Sequence, residues 1–216
     1  MRALTLAGVA GPIVFVSAVL AAASGHPGYS HTANFMSELG ATGAPRAVLM
    51  NYGGFIPAGT LLAAFGATLV HSLPRTPSMV AGAVLVTLFG IGVAASGVFS
   101  CDLGCPTSGG TVGNQIHNAI GPSCFLCLIA GTGILGWKLR EFPDWRWLSG
   151  YSLATSAIAF VFFLSLVGSL ESRTSTGLWQ RLMLGTLFLW CGVVAVHAFR
   201  WRRCRLEPPW RTAWRS

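Results

Sequence analysis

Six apolar blocks, each long enough to cross a lipid bilayer, constrain this chain more than any other feature. A helix needs about 20 apolar residues to cross about 30 Å of hydrocarbon, and blocks of this length are too long for barrel strands. Only 9% of the residues are charged, too few to cover a water-exposed surface. The sequence therefore predicts an all-α bundle of six transmembrane helices with short outer loops, spanning residues 4–23, 48–73, 79–99, 116–137, 148–170 and 178–199.

The basic residues predict how the helices are oriented. With a cytoplasmic N-terminus, eleven of the fourteen Arg and Lys residues lie in inner segments, and only Arg46, Arg173 and Arg181 lie in outer ones. This bias follows the positive-inside rule, so we expect both termini in the cytoplasm. We also expect a membrane domain over residues 1–199 and a basic cytoplasmic tail over residues 200–216. Thirteen of the fourteen basic residues are Arg, as is typical of a GC-rich bacterial source, and we expect the protein in the bacterial cytoplasmic membrane.

The first block has an alternative interpretation as a signal peptide. Arg2, the apolar run and the small residues 21–24 (AAAS) fit that pattern. Removal of this segment would leave five spans. The run is longer than the apolar part of most signal peptides, which favours a retained first helix.

The net charge of +8 does not indicate a nucleic-acid partner, because the basic residues lie in short segments between apolar blocks and not on one face of a folded domain. The Gly-rich residues 108–113 lack the Lys that a phosphate-binding loop needs. Membrane lipid is the expected partner, and the sequence assigns neither a cofactor nor a protein partner.

Small residues predict close contacts between helices. Gly59, Ala63 and Ala67 recur at four-residue spacing in the second span, and Gly92 and Ser96 do so in the third. Such stripes let helix backbones approach each other inside a membrane.

The predicted topology places polar side chains of three outer loops on one side of the membrane. Because short loops over a small bundle share a limited area, we expect a polar pocket there that binds or acts on a lipid headgroup or a small amphiphile. Serine, carboxylate and histidine side chains are the types found in hydrolytic sites. The catalytic candidates are Ser37, Glu38, Asp102 and His117.

Two further residues of this set are candidates for ligand binding, Gln180 and Arg181. A charge in the first turns of an apolar span is costly unless it is paired or faces a wet cavity, and a guanidinium there can hold a phosphate or carboxylate. The alternative is a network of structural ion pairs, in which Glu38, Asp102 and Glu171 balance the three outer arginines.

Cys101 and Cys105 form a C-x3-C pair on the predicted oxidising side, which favours a disulfide. The bond would fix where Asp102 points. A Gly-rich connection lets Asp102 fold back toward His117, and such a contact would orient the imidazole.

Two metal-based alternatives use histidines. Zinc chemistry would employ His26, His31, His117 and Asp102, although their spacing matches no recognised zinc signature. Haem ligation would require His71 and His197, which lone interfacial histidines explain more simply.

Two further alternatives need neither hydrolysis nor a metal. Cys124 and Cys127 form a C-x-x-C in the fourth span and would exchange electrons with the Cys101/Cys105 pair in a membrane thiol–disulfide redox protein. Cysteines at this spacing in a buried helix are more often apolar packing. The last alternative is an accessory or transport subunit without chemistry of its own.

Four ordered motifs resemble one known family over nearly the whole chain. They are residues 37–40 (SELG, after HPGY), 97–106 (GVFSCDLGCP), 116–118 (IHN) and 177–182 (GLWQRL). Together they are similar to domain-of-unknown-function family 998, which comprises prokaryotic multi-span membrane proteins. The resemblance implies a small helical bundle and no particular activity. Its motif positions coincide with the outer polar set, namely Ser37, Glu38, Gly40, Asp102, His117, Gln180 and Arg181.

Overall fold

The computed structural model describes residues 3–206, with side chains up to residue 201, as a bundle of six long helices. These are α1 (Ala7–Ala23), α2 (Ile56–Ser72), α3 (Pro77–Val98), α4 (Val112–Leu139), α5 (Trp147–Gly168) and α6 (Thr176–Leu206). Six helical stretches are long and apolar enough to cross a membrane, and the described residues contain no strand. The prediction of an all-α, six-span bundle is therefore confirmed.

The chain ends leave two predictions open. The last helix continues to Leu206, beyond the predicted start of the tail at residue 200. Arg2 and most of the predicted basic tail, residues 207–216, lie outside the described residues. The cytoplasmic placement of both termini stays a prediction.

Aromatic side chains fill the centre of the bundle. Each helix packs against the next along the chain, and α6 returns to contact α1. Phe15 of α1 lies edge-on to Phe188 of α6 with ring centroids 5.6 Å apart, and its ring is 5.4 Å from that of Phe55. Many large apolar side chains point outward instead, including Ile13 and Leu189, as expected for surfaces that face lipid.

The contact between α2 and α3 depends on glycines. A Cβ at Gly59 would lie 2.6 Å from the Gly90 carbonyl oxygen, and one at Gly66 would lie 2.5 Å from the Thr87 amide nitrogen. The predicted close approach at Gly59 is therefore present. Ala67, however, is exposed, and Gly66 takes its place in the interface.

A π-helix at Leu49–Phe55 leads into α2, a feature that the hydropathy pattern did not predict. Its wider turn is closed by the Ile56 N–H, which donates to the carbonyl of Asn51, five residues earlier. The Asn51 side chain donates to the Gly40 carbonyl and to the Ser100 hydroxyl, both at 2.9 Å. Such π segments are frequent at functional sites.

Helix α4 begins at Val112, four residues before the predicted block. Thr111 caps it, since its hydroxyl accepts from the Asn114 amide at 3.2 Å. His117 consequently lies in the second turn of the helix rather than at its start.

Candidate functional site

Three loops meet at one end of the bundle, which we call the loop end. The first loop (residues 24–48) joins α1 to the π-helix, the second (99–111) joins α3 to α4, and the third (169–175) joins α5 to α6. This is the end that the sequence predicts to face the cell exterior. Most of the predicted site residues lie in these loops or in the helical turns next to them.

Glu38 organises the first loop from within. One carboxylate oxygen accepts from the Phe35 amide at 2.9 Å, and the other accepts from the Asn34 side chain at 2.8 Å. The residue is only 9% exposed. A buried carboxylate needs such donors, because an unpaired charge there is costly.

Arg173 of the third loop ties the three loops together. Its guanidinium lies 3.4 Å from the Glu38 carboxylate and donates to the carbonyls of Gly104 at 3.2 Å and Cys105 at 2.7 Å. Its backbone φ of +55° is uncommon for a residue with a side chain. The ion-pair alternative is therefore present in one instance, Glu38 with Arg173.

Arg181 anchors the first loop to the start of α6. It donates to the carbonyls of Asn34 at 3.1 Å and Gly177 at 2.9 Å, and to the Tyr29 hydroxyl. Tyr29 in turn donates to the Phe35 carbonyl at 3.0 Å. Burial raises the pKa of Tyr29 although the Arg181 charge opposes that shift, so the hydroxyl stays protonated and available as a donor. No carboxylate of the described residues pairs with Arg181.

Asp102 holds the start of α4. Its carboxylate accepts from both the amide and the hydroxyl of Thr111, each at 2.7 Å. These hydrogen bonds lower the pKa of Asp102, because they stabilise its ionised form.

We expect Asp102→Asn to lower the melting temperature at pH 7, since one amide oxygen then replaces two carboxylate acceptors. Because the pKa of Asp102 is lower in the folded protein, its carboxylate stabilises the fold fully at pH values above the pKa of the unfolded chain, about 3.9. This stabilisation is lost as the pH falls through the folded-state pKa. The difference between the two proteins should therefore shrink below about pH 4. Melting curves of the purified protein from pH 3 to pH 7 measure it.

Glu171→Gln is the matched control for this change, because Glu171 is exposed and forms no hydrogen bond with the described residues. Its melting temperature should follow the parent protein at every pH. A deficit for Asp102→Asn that is the same at pH 3 and pH 7 would contradict the assigned role.

The predicted disulfide is present as a cysteine pair at bonding distance. The sulfurs of Cys101 and Cys105 are 1.94 Å apart, and both residues are buried under the first loop. The Ser37 hydroxyl lies 3.5 Å from the Cys105 sulfur, a weak acceptor. The pair thus fixes the second loop beside Ser37.

Beneath the loops lies a cavity of about 210 Å³. One water needs about 10–15 Å³ of such space, so there is room for a small molecule or part of an acyl chain. Most of the lining is apolar, and it includes six phenylalanines contributed by the helices and the first loop. The apolar lining consists mainly of Phe15, Phe35, Phe55, Phe125, Phe163, Phe188, Leu166, Leu170 and Leu184.

A few neutral polar groups line the same cavity at its loop end. The Gln180 oxygen accepts from the Met36 amide at 2.8 Å, which fixes the amide orientation. Its nitrogen, which can donate two hydrogen bonds, has no acceptor among the described residues. The His117 ring places Nδ1 2.8 Å from the Phe99 carbonyl, so its neutral form carries the proton on Nδ1. Asn118 donates to the Pro106 carbonyl at 2.8 Å.

The structure divides the predicted site residues into two groups. Ser37, His117 and Gln180 line the cavity, whereas Glu38, Asp102 and Arg181 do not. The carboxylates and the guanidinium are engaged in hydrogen bonds that hold the loops, so they are not turned toward the cavity. The cavity is accordingly more apolar than the polar pocket that we expected.

The expected contact between Asp102 and His117 is not formed. Asp102 accepts hydrogen bonds from Thr111, and His117 contacts the Phe99 carbonyl. Because α4 starts earlier than predicted, its N-cap residue Thr111 takes up the Asp102 carboxylate. No hydrogen bond joins Ser37 to His117 within the described part of the chain. The catalytic arrangement of serine, histidine and carboxylate that the sequence suggested is therefore not assembled here.

The residues of the zinc alternative do not converge either. Among the described side chains, residues 3–201, there is no group of three or more His, Cys, Asp or Glu that could hold a metal. His26 and His31 are near Tyr29, with ring centroids 5.6 Å and 5.3 Å from its ring. His197, one of the haem candidates, lies 3.0 Å from the Asp144 carbonyl.

The two cysteines of the fourth span, which the redox alternative requires, do not form a disulfide with each other. Cys124 and Cys127 are both free, and the Cys124 thiol donates to the Gly121 carbonyl at 3.1 Å. Cys124 and Cys105 do line the same cavity.

Sequence reasoning expected a polar pocket and missed the apolar lining of the cavity and the role of Arg173. The lining phenylalanines come from five different helical segments and one loop, and hydropathy does not distinguish them from other core residues. The one available signal was Gly121-Pro122 within an apolar block, since a proline interrupts a helix.

A family model described as "Protein of unknown function (DUF998)" matches residues 9–197. No curated protein and no solved structure matches the chain.

Proposed function

The chain belongs to the DUF998 family, a family of unknown function, and we propose from its own geometry that it binds an amphiphile in the cavity beneath its loops. The apolar part of the ligand lies among the phenylalanines, and the polar end lies near Ser37, His117 and Gln180. The observation that carries this proposal is a single cavity with an apolar body and hydrogen-bonding groups gathered at one end.

The position of the cavity rim supports entry from the membrane. The exposed members of the lining are Pro122 on α4, Val167 on α5 and Thr107 in the second loop. Two of them lie within membrane-spanning helices, which supports an opening toward lipid between α4 and α5. A molecule dissolved in the bilayer can reach the cavity there without crossing the loops.

Binding accounts for the polar groups better than catalysis does. A nucleophilic serine needs a base within hydrogen-bonding reach, and among the described residues no base forms a hydrogen bond with the Ser37 hydroxyl, which contacts the Cys105 sulfur. The apolar lining, in contrast, gains about 25 cal/mol for each Å² of apolar ligand surface that it removes from water. Pockets for small ligands commonly combine such a lining with a few placed polar groups.

Photolabelling tests the proposal. Two probes share a dodecyl chain with a terminal diazirine, one ending in a glycerol ester and the other in a phosphate. In phospholipid nanodiscs, at least one probe should label cavity residues such as Phe125 and Leu166, and excess unlabelled compound should suppress that labelling. Mass spectrometry of proteolytic peptides locates the modified residues.

Outward-facing residues provide the internal control for this experiment. Ile13 and Ile91 are more than half exposed on the lipid-facing surface, and any labelling there should not respond to competitor. If both probes label only such outward residues, the cavity does not bind amphiphiles. The alternative of an accessory or transport subunit without a ligand would then be favoured.

A further inference from the structure

We infer that the cavity selects amphiphiles whose polar end is uncharged, such as a glycerol ester or another hydroxyl- or carbonyl-bearing head, over those that end in phosphate or carboxylate. The inference rests on the proposed function and narrows it to a ligand class. It replaces the expectation that Arg181 holds an anionic group.

The lining contains no permanently charged side chain. None of its 22 described residues is Asp, Glu, Lys or Arg. Transferring an anion from water into apolar surroundings without a countercharge is strongly unfavourable, whereas a neutral group loses only hydrogen bonds that the protein can replace. The composition of the wall therefore disfavours a charged head.

Two arginines of the loop end, Arg173 and Arg181, are engaged elsewhere. Arg173 donates to two carbonyls of the second loop and faces the Glu38 carboxylate. Arg181 donates to the carbonyls of Asn34 and Gly177 and to the Tyr29 hydroxyl. Turning either guanidinium toward a ligand would leave several partly buried acceptors without a hydrogen-bond donor, which is unfavourable.

Two side chains that line the loop end, Gln180 and Ser37, supply neutral hydrogen-bond donors. Gln180 offers two N–H groups, because its oxygen is committed to the Met36 amide. The Ser37 hydroxyl contacts the Cys105 sulfur, a weak acceptor, at 3.5 Å and forms no other side-chain hydrogen bond with the described residues, so it can donate to a better acceptor. An ester or ketone carbonyl, or a hydroxyl, satisfies such donors without introducing charge.

The test compares the two photoreactive probes in nanodiscs at pH 8, where an ordinary imidazole is neutral. The half-saturating concentration for labelling cavity residues should be about 10-fold or more lower for the glycerol ester than for the phosphate.

Ser37→Ala should weaken binding of the glycerol ester about 3-fold to 10-fold, which is the typical value of one hydrogen bond. Gln180→Glu keeps the acceptor for the Met36 amide but replaces the donors with a carboxylate, and it should weaken binding by about 10-fold or more.

A gain-of-function variant makes the test independent of damage to the fold. Thr107 is exposed at the cavity rim, so Thr107→Lys adds a cation there without burying it. This variant should bind the phosphate probe more tightly than the parent protein does.

Equal labelling of the cavity by both probes in the parent protein would overturn the inference and leave the proposed function standing. Absence of cavity labelling by either probe would instead overturn the proposed function.

Discussion

Gly90→Leu is expected to abolish the folded bundle or to destabilise it by about 3 kcal/mol or more, because α2 and α3 touch through their backbones at this point. A Cβ on Gly90 would lie 2.6 Å from the Cα of Ala63 and 2.7 Å from the carbonyl carbon of Leu62. Neither atom belongs to a flexible side chain that can move aside, so the two helices must separate. Separation would also displace Leu62 and Phe89, which are fully buried in the core.

Gly185→Leu is the matched control for this prediction. It makes the same substitution in a membrane-spanning helix, but no atom lies within 4 Å of a Cβ at Gly185, which is exposed on α6. Its stability should stay within about 0.5 kcal/mol of the parent protein. Thermal unfolding followed by circular dichroism compares the two variants. A Gly90→Leu protein as stable as Gly185→Leu would show that α2 and α3 do not pack as described.

Bilayer thickness explains why the spans were predictable from sequence. A helix in lipid must satisfy its own backbone over about 30 Å, so each span appears as one long apolar block. The blocks match the six spans to within a few residues, except that α6 continues to Leu206, seven residues past its block, and that the second block begins with the π-helix before α2. No comparable constraint from the bilayer fixes which residues of the loops contact each other. The pairing of Glu38 with Arg173, 135 residues away, depends on how three loops fold over the bundle.

Residue type in the sequence does not determine how the candidate site is arranged. Ser37, His117 and Gln180 line the cavity, but residue type alone does not reveal whether a charge faces a ligand or holds a loop. Arg181 illustrates the difference, because its donors are taken up by carbonyls and by Tyr29. The π-helix escaped detection for a similar reason, since its hydropathy is that of an ordinary span.

Gly121→Leu is expected to produce the largest loss of ligand binding, because it fills the cavity from its own wall. Gly121 lines the cavity, and a Cβ there meets no atom within 4 Å beyond its chain neighbours and its own helix backbone, so a longer side chain can extend into the open space. Gly121 precedes Pro122 within a helix, where the proline ring crowds the Cβ of the residue before it. Leucine, which has no branch at Cβ, is therefore preferable to valine or isoleucine. The half-saturating concentration for photolabelling should rise by about 10-fold or more, given that the apolar contact area is lost.

A second variant places a bulky side chain in the same cavity from α5 instead of α4. Val167 on α5 is 48% exposed at the cavity rim, so Val167→Trp can narrow the opening without crowding the core. It should also weaken binding while leaving the melting temperature close to that of the parent protein. Agreement between the two variants separates an effect on the cavity from damage to α4.

The most direct measurement is the half-saturating concentration of the better of the two dodecyl probes for three proteins in nanodiscs: the parent, Gly121→Leu and Gly185→Leu. Binding in the cavity predicts that Gly185→Leu matches the parent and that Gly121→Leu loses about 10-fold or more of the affinity. If a folded Gly121→Leu protein binds the probe as tightly as Gly185→Leu does, the cavity beneath the loops is not the ligand site.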